Sequence, residues 1–183
     1  MHKMYTGAGD EGSTGLLGPE RVPKYHPQVA TSGDIDEANA ALGLGRALAT
    51  SPDVRAALLE AQRDLYHLMS EVSATPEAAE RFRRIDAARV AWLEEQVNRF
   101  SASLPPLTEF VVPGDSLAGA ALHLARTIVR RAERQVVSLR DQGLLRNPDL
   151  IRYLNRLSSL CFVLALVEDA AAGVSRTTLV KDV

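Results

Sequence analysis

From residue 34 onward, apolar residues recur at three- and four-residue spacing, in stretches bounded by capping residues or prolines. Asp34 heads the first stretch with Glu37 placed to complete a reciprocal cap, and the pattern continues to about Ala49. Ser51-Pro52-Asp53 opens a second helix through Leu58, Leu65, Leu68 and Val72, which Thr75-Pro76-Glu77 breaks. A third runs from near Ile85 to Ala102 and stops before Pro105-Pro106. The fourth starts at Asp115 or Ser116 and reaches about Gln142, where Gly143 closes it. Asn147-Pro148-Asp149 opens the fifth, through about Ala172, and this segment is apolar nearly all round, which predicts a central place. Short connections between long amphipathic segments predict an all-α, antiparallel five-helix bundle over 34–173.

The first 33 residues read differently. Gly7, Gly9, Gly12, Gly15, Gly18, Pro19, Pro23, Pro27 and Gly33 deny both helix and strand, leaving an ordered loop or a disordered arm. A loop this long is uncommon in a compact domain unless it has a task. The tail over 174–183 carries no pattern, and one domain accounts for 1–183.

At 183 residues the chain can bury a sizeable core, and its net charge of -2 argues against a general nucleic-acid binder. The single cysteine, Cys161, excludes an internal disulfide and a cysteine-based zinc site, and its setting in Leu160-Cys161-Phe162-Val163-Leu164 predicts buried packing. Met1-His2-Lys3-Met4-Tyr5 has no apolar signal core and no stretch approaches a membrane span, so a cytoplasmic enzyme is expected, acting on neither membrane nor nucleic acid.

The candidate chemistry lies at two places. Phe110-Val111-Val112-Pro113-Gly114-Asp115-Ser116 ends an extended segment at a proline-glycine break and leads into an arginine-rich helix. At 100° per residue, Arg126, Arg130 and Arg134 fall at about 0°, 40° and 80°, with Glu133 near 340° and His123 near 60°. The apolar residues from Ala118 to Leu139 fill the opposite arc, between roughly 200° and 320°. Three arginines without a lysine suit forked contact with phosphate, although a solvated face with Glu133 bridging Arg130 fits the same pattern. A satisfied helix-face histidine is the simplest reading of His123. The second place is Thr6-Gly7-Ala8-Gly9-Asp10-Glu11-Gly12-Ser13-Thr14-Gly15, whose small residues and hydroxyls resemble a phosphate cradle in composition, with Lys24 as a point charge. It is neither a Walker A loop nor a Rossmann turn.

Together these segments resemble the PduO-type ATP:corrinoid (cob(I)alamin) adenosyltransferase family. The likeness is carried by Tyr5-Thr6 through Gly18 with Glu20-Arg21-Val22-Pro23-Lys24, by Gly33 with Asp36-Glu37-Ala38-Asn39-Ala40-Ala41-Leu42-Gly43, by Phe110 to Ser116, by His123 to Arg134, and by Tyr153-Leu154-Asn155-Arg156-Leu157-Ser158. It implies a homotrimer with active sites between neighbouring subunits, in which cob(I)alamin attacks the 5′ carbon of ATP and expels triphosphate, with magnesium accompanying the nucleotide. By that likeness Thr6, Gly7, Ala8, Gly9, Thr14, Gly15 and Lys24 line the phosphates, while Arg130, Glu133, Arg134 and Asn155 hold the nucleotide from the helical side. Arg126 pairs with Asp36 across the subunit boundary, and Phe110 presses on the corrin's lower face. A flavin-type reductase and an adenosylcobalamin-dependent enzyme are the implied partners. No protein ligand for magnesium is assigned, with Asp10, Glu11 and Asp34 as candidates.

The chain departs from the family pattern at Gly7 and Glu11, where the loop has lost positive charge, at Ala8, where a threonine is common, and at Ser32, Asp34, Asp115 and Ser159. Asp34 and Asp115 read as helix caps. The departures leave a second function open, that of a non-catalytic relative binding nucleotide or corrinoid as a carrier or regulator.

Overall fold

Serine and aspartate caps decide where three of the six described helices begin. In the computed structural model, which describes residues 4–107 and 109–181, Ser51 accepts from Val54 N at the head of α2 (Pro52–Val72) and Asp86 from Arg89 N at the head of α4 (Ala87–Ser101). Ser116 accepts from Gly119 N at the head of α5 (Leu117–Asp141). Asn147 Oδ1 accepts from Asp149 N at 3.0 Å where α6 (Asp149–Ala171) begins. These boundaries fall where the side-chain pattern puts them, and one extra turn, α3 (Ala79–Phe82), lies in the break after α2.

The first helix corrects the expectation. α1 (Pro27–Leu48) starts about two turns ahead of Asp34. Pro27 opens it rather than ending a loop: a proline in the first turn lacks only an N–H that would have no helical partner, and His26 Nδ1 accepts from Gln28 N. Asp34 therefore lies inside α1 and caps nothing. The remaining leader is not free of strand either, because β1 (Ser13–Gly15) pairs antiparallel with β2 (Arg21–Pro23). Residues 1–3, Thr108 and the last two positions of the tail lie outside the described residues, and with them part of the leader and tail readings.

Five long helices form the bundle. α5 packs on α1 and α6, α2 on α1, and α4 on α6. Leu42, Leu58, Leu65, Leu122, Leu154, Leu157 and Leu160 are all fully buried between them. By length and composition α6 could cross a membrane, with a mean hydropathy of 1.5, so the expectation that no stretch reaches that length does not hold. Its apolar residues are instead covered by the other helices, as the all-round pattern implies. Cys161 is among them, and burial pushes its thiol up to about 12.

Buried polar groups tie the helices at fixed levels. Glu168, near the end of α6, accepts from Thr50 N at 2.7 Å, Thr50 Oγ1 at 2.8 Å and Ser51 N at 3.1 Å, placing a carboxylate at the N-terminus of α2. Asp64 accepts from Tyr153 Oη at 2.8 Å and from Arg89 Nε at 2.9 Å, joining α2, α4 and α6. α5 and α6 approach so closely at Gly119 that a Cβ there would lie 2.0 Å from Asp169 Oδ1.

Candidate active site

The helical wall of the site forms as the sequence angles require. Ala118, Ala121, Leu122, Ala125, Val129, Ala132, Val136 and Leu139 are buried, Arg130 and Arg134 are exposed, and Arg126 and Glu133 are half-buried. Glu133 does not bridge Arg130. Its Oε1 accepts from Asn155 Nδ2 of α6 at 2.9 Å, while Arg156 Nη1 donates to Asn155 Oδ1 at 2.8 Å and Arg156 Nε to Glu94 at 2.8 Å. Asn155 is thus clamped at both ends of its amide. Arg134 Nη1 donates to the Arg130 carbonyl at 3.0 Å, and the Arg130 guanidinium meets no partner among the described residues.

Beside this wall opens a recess of about 380 Å³ lined by Phe110, Val111, His123, Arg126, Ser159 and Phe162, among others. Phe110 stands 82% exposed at its rim. It is held there by the patternless C-terminal tail. Val112 N donates to Thr178 O at 2.8 Å, and Val180 N to Phe110 O at 2.9 Å. Asp115, instead of capping α5, accepts from Thr178 N at 2.9 Å and Thr178 Oγ1 at 2.7 Å, and these bonds hold its carboxyl below the usual range. His123 is not on the solvent face with the arginines and is not satisfied. It is 3% exposed, stacks edge-on against Phe162, and neither ring nitrogen has a partner among the described residues. Burial, then the neighbouring Arg126 guanidinium, lower its pKa.

The glycine-rich leader forms a second, open recess. Arg21, which the sequence reading left without a role, donates from one Nη to Ala8 O at 2.8 Å, Ser13 O at 3.2 Å and Ser13 Oγ at 2.9 Å, and so draws the loop into a curl. Its signal was the basic residue facing the loop across the hairpin, with Gly15 opposite Arg21 and Thr14 opposite Val22. Thr6 Oγ1 accepts from Ala8 N at 3.3 Å, and Asp10 N donates to Gly7 O at 3.2 Å. Lys24 lies over Gly9, where a Cβ would come within 3.1 Å of its ammonium, so only glycine leaves that contact open.

The leader docks at one end of the helical bundle. Leu17 bridges Ala74, which docks the hairpin at the end of α2 and the start of α1. Gly45 lies against Leu122 while Asp34 and Glu37 both pair with Arg131, so α1 and α5 run antiparallel and the start of α1 lies near the far end of α5. Arg126 and Asp36 do not meet: Asp36 is exposed, and Arg126 Nε is buried without a partner.

The fold and this wall define a helical-bundle protein that presents unpaired guanidinium beside an apolar recess. The family model of cobalamin adenosyltransferases matches residues 4–168, and the chain belongs to that family. It is 42% identical over 179 residues to a cobalamin adenosyltransferase of Cupriavidus metallidurans, covering 96% of this chain and 92% of that one. It is 40% identical over 167 residues to the corrinoid adenosyltransferase PduO of Citrobacter freundii, covering 91% of this chain and 50% of that longer protein. Among solved structures, a point variant of the PduO-type ATP:corrinoid adenosyltransferase of Lactobacillus reuteri, complexed with cobalamin and ATP, superposes with a TM-score of 0.87 at 32% identity, covering 98% of this chain and 97% of that one.

Proposed function

We propose that this protein transfers the 5′-deoxyadenosyl group of ATP to the cobalt of cob(I)alamin or a related corrinoid. The cobalt attacks the 5′ carbon, a cobalt–carbon bond forms, and the electron pair of the broken carbon–oxygen bond leaves with triphosphate. Cobalt in its +1 state is already a strong nucleophile, so no general base is required. The residues need only align the reactants and stabilise charge gathering on the leaving group. The observation that carries the reading is the Arg130 guanidinium, without a partner among the described residues, lining the same recess as Phe110 and Phe162.

The loop residues Thr6, Gly7, Ala8, Gly9, Thr14, Gly15 and Lys24 line the phosphates, Arg130 and Arg134 contact the nucleotide, and Glu133 and Asn155 hold each other in place for it. Phe110 covers the corrin's lower face. Arg21 and Lys24 keep positive charge in a loop that has lost it at Gly7 and Glu11. Among the described residues no group of three or more metal-ligating side chains occurs, and Asp34 is committed to Arg131. Magnesium then fits as an ion held mainly by the triphosphate, with Asp10 or Glu11 within the loop, where it neutralises phosphate charge.

A homotrimer is the assembly this reading requires. Support comes from Asp36 and the buried Arg126 Nε, which find no partner among the described residues of one chain. Leu44, Leu48, Leu117 and Leu124 add an exposed apolar face on the outer side of α1 and α5. An adjacent copy would bring its leader to this chain's arginines and pair Asp36 with Arg126. A flavin-type reductase supplies the electron for cobalt, an adenosylcobalamin-dependent enzyme takes the product, and the cytoplasm, where ATP is available, is the compartment. The test mixes purified protein with ATP, magnesium and chemically reduced cob(I)alamin. The adenosylcobalamin spectrum is the expected result, and no product above the protein-free blank would end the proposal.

A further inference from the structure

The described residues strand few buried polar atoms, and three of them share one wall: both ring nitrogens of His123 and Nε of Arg126. His123 lies on the second turn of α5, 3% exposed, with its ring centroid 5.7 Å from that of Phe162. The charged groups facing it are Arg126 from its own helix, Asp169 from α6 and Asp115 from the segment before α5. None of them bonds it: Asp169 Oδ1 accepts from Ser116, and Asp115 accepts from Thr178. A protein seldom leaves two buried ring nitrogens unmet, because each forfeits the bond it had with water. The open side of the ring is the recess that it lines. The ring hangs on a Cβ–Cγ bond whose intrinsic torsion is soft, and a turn about it would present a nitrogen to whatever fills that space.

The filling group can be identified by chemistry. Phe110, Val111, Phe162 and Val163 give the recess an apolar side suited to the face of a broad ring, while Arg126, Arg130, Ser158 and Ser159 line its polar side. Arg126 beside it disfavours a second positive charge, so the imidazole is neutral and offers one N–H donor and one acceptor. A primary carboxamide offers the same pair in reverse, and the rim of a corrin ring carries several. We propose that His123 is a corrinoid-recognition residue that hydrogen-bonds a peripheral carboxamide of the ring seated between Phe110 and Phe162. This rests on the reading that the corrinoid occupies that recess.

The test compares His123→Leu, which keeps bulk without polarity, and His123→Gln, which keeps a donor and an acceptor, in the full-length protein. KM is measured separately for cob(I)alamin and for ATP. The expected result is a roughly tenfold rise in the cobalamin KM for His123→Leu, the size of one hydrogen bond, with the ATP KM within about twofold and the glutamine variant largely restored. Cobinamide, which keeps the ring amides but lacks the lower nucleotide, should suffer the same penalty as cobalamin; a penalty on cobalamin alone overturns the assignment to a ring amide. Burial and Arg126 lower the pKa of His123, so its charging, and with it a loss of wild-type affinity for cobalamin, should come only below the ordinary imidazole range, while His123→Gln stays level. If His123→Leu does not fold, this acid limb decides: its persistence in His123→Gln overturns the proposal. An unchanged cobalamin KM in folded His123→Leu, or an equal rise for ATP, also overturns it. Phe110→Ala separates the two levels of inference. If it raises the cobalamin KM while His123→Leu does not, the recess stands without His123; if it changes nothing, the corrinoid is not in this recess.

Discussion

Replacing Arg130 by alanine should disable adenosylation without disturbing the fold. Its side chain is exposed and its guanidinium contacts no partner among the described residues, so truncation should move stability by no more than about 0.5 kcal/mol. Against a triphosphate the same fork can make one or two charge-assisted hydrogen bonds, each worth about 1.5–3 kcal/mol. Charge on the leaving phosphates grows toward the transition state, so these bonds count most there. A loss of about 2–4 kcal/mol corresponds to a fall of roughly 30- to 700-fold in kcat/KM for ATP. Arg130→Lys keeps the charge but not the fork, and about 1–2 kcal/mol, or roughly 5- to 30-fold, should be lost. The assay varies ATP at saturating cob(I)alamin and records thermal unfolding of the same preparations. Activity within threefold of wild type, or a drop in Tm of several degrees, would refute the reasoning, the first by removing Arg130 from the site and the second by giving it a structural task.

Glu168→Gln replaces a carboxylate that accepts three hydrogen bonds at the head of α2, and should cost about 2–4 kcal/mol, seen by calorimetry as a Tm lower by roughly 5–15 °C; a shift under 2 °C would show that the cap does not hold. Thr178→Val removes the hydroxyl bond to Asp115 at an exposed position, so global stability should change by less than about 1 kcal/mol. Amide exchange at Val112 and Val180 should nonetheless quicken, and unchanged exchange there would mean that the tail is held by its backbone bonds alone. Burial, opposed by the Asn147 hydrogen bond, raises Glu71 above its ordinary 4.5. The folded state then binds this proton more tightly than the unfolded chain, so the ionisation penalty is absent well below 4.5 and develops as pH rises through the raised value. Glu71→Gln should gain Tm relative to wild type above that window and not below pH 4, and a difference curve flat in pH would contradict the assignment.

The starts of α2 and α5 were legible in the sequence because each cap is written within four residues of the backbone N–H it satisfies, and that of α6 because Asn147-Pro148-Asp149 can only turn the chain into a helix there. So was the division of α5 into an apolar and a cationic arc, a matter of helical period alone. The start of α1 was not, since Pro27 suits a loop and a first helical turn equally, and three-residue strands such as β1 and β2 carry too little side-chain pattern to announce themselves. Only the closed chain could decide the rest. Asp115 has a cap's composition but found Thr178, 63 residues on, and Glu168 caps a helix 117 residues before it. His123 shares the arginines' angular sector, yet Phe162 of α6 and the segment bearing Phe110 cover it. Periodicity reports which way a side chain points from its own helix; what stands in front of it depends on elements brought there by packing, and the strip of sequence around the residue holds no record of them.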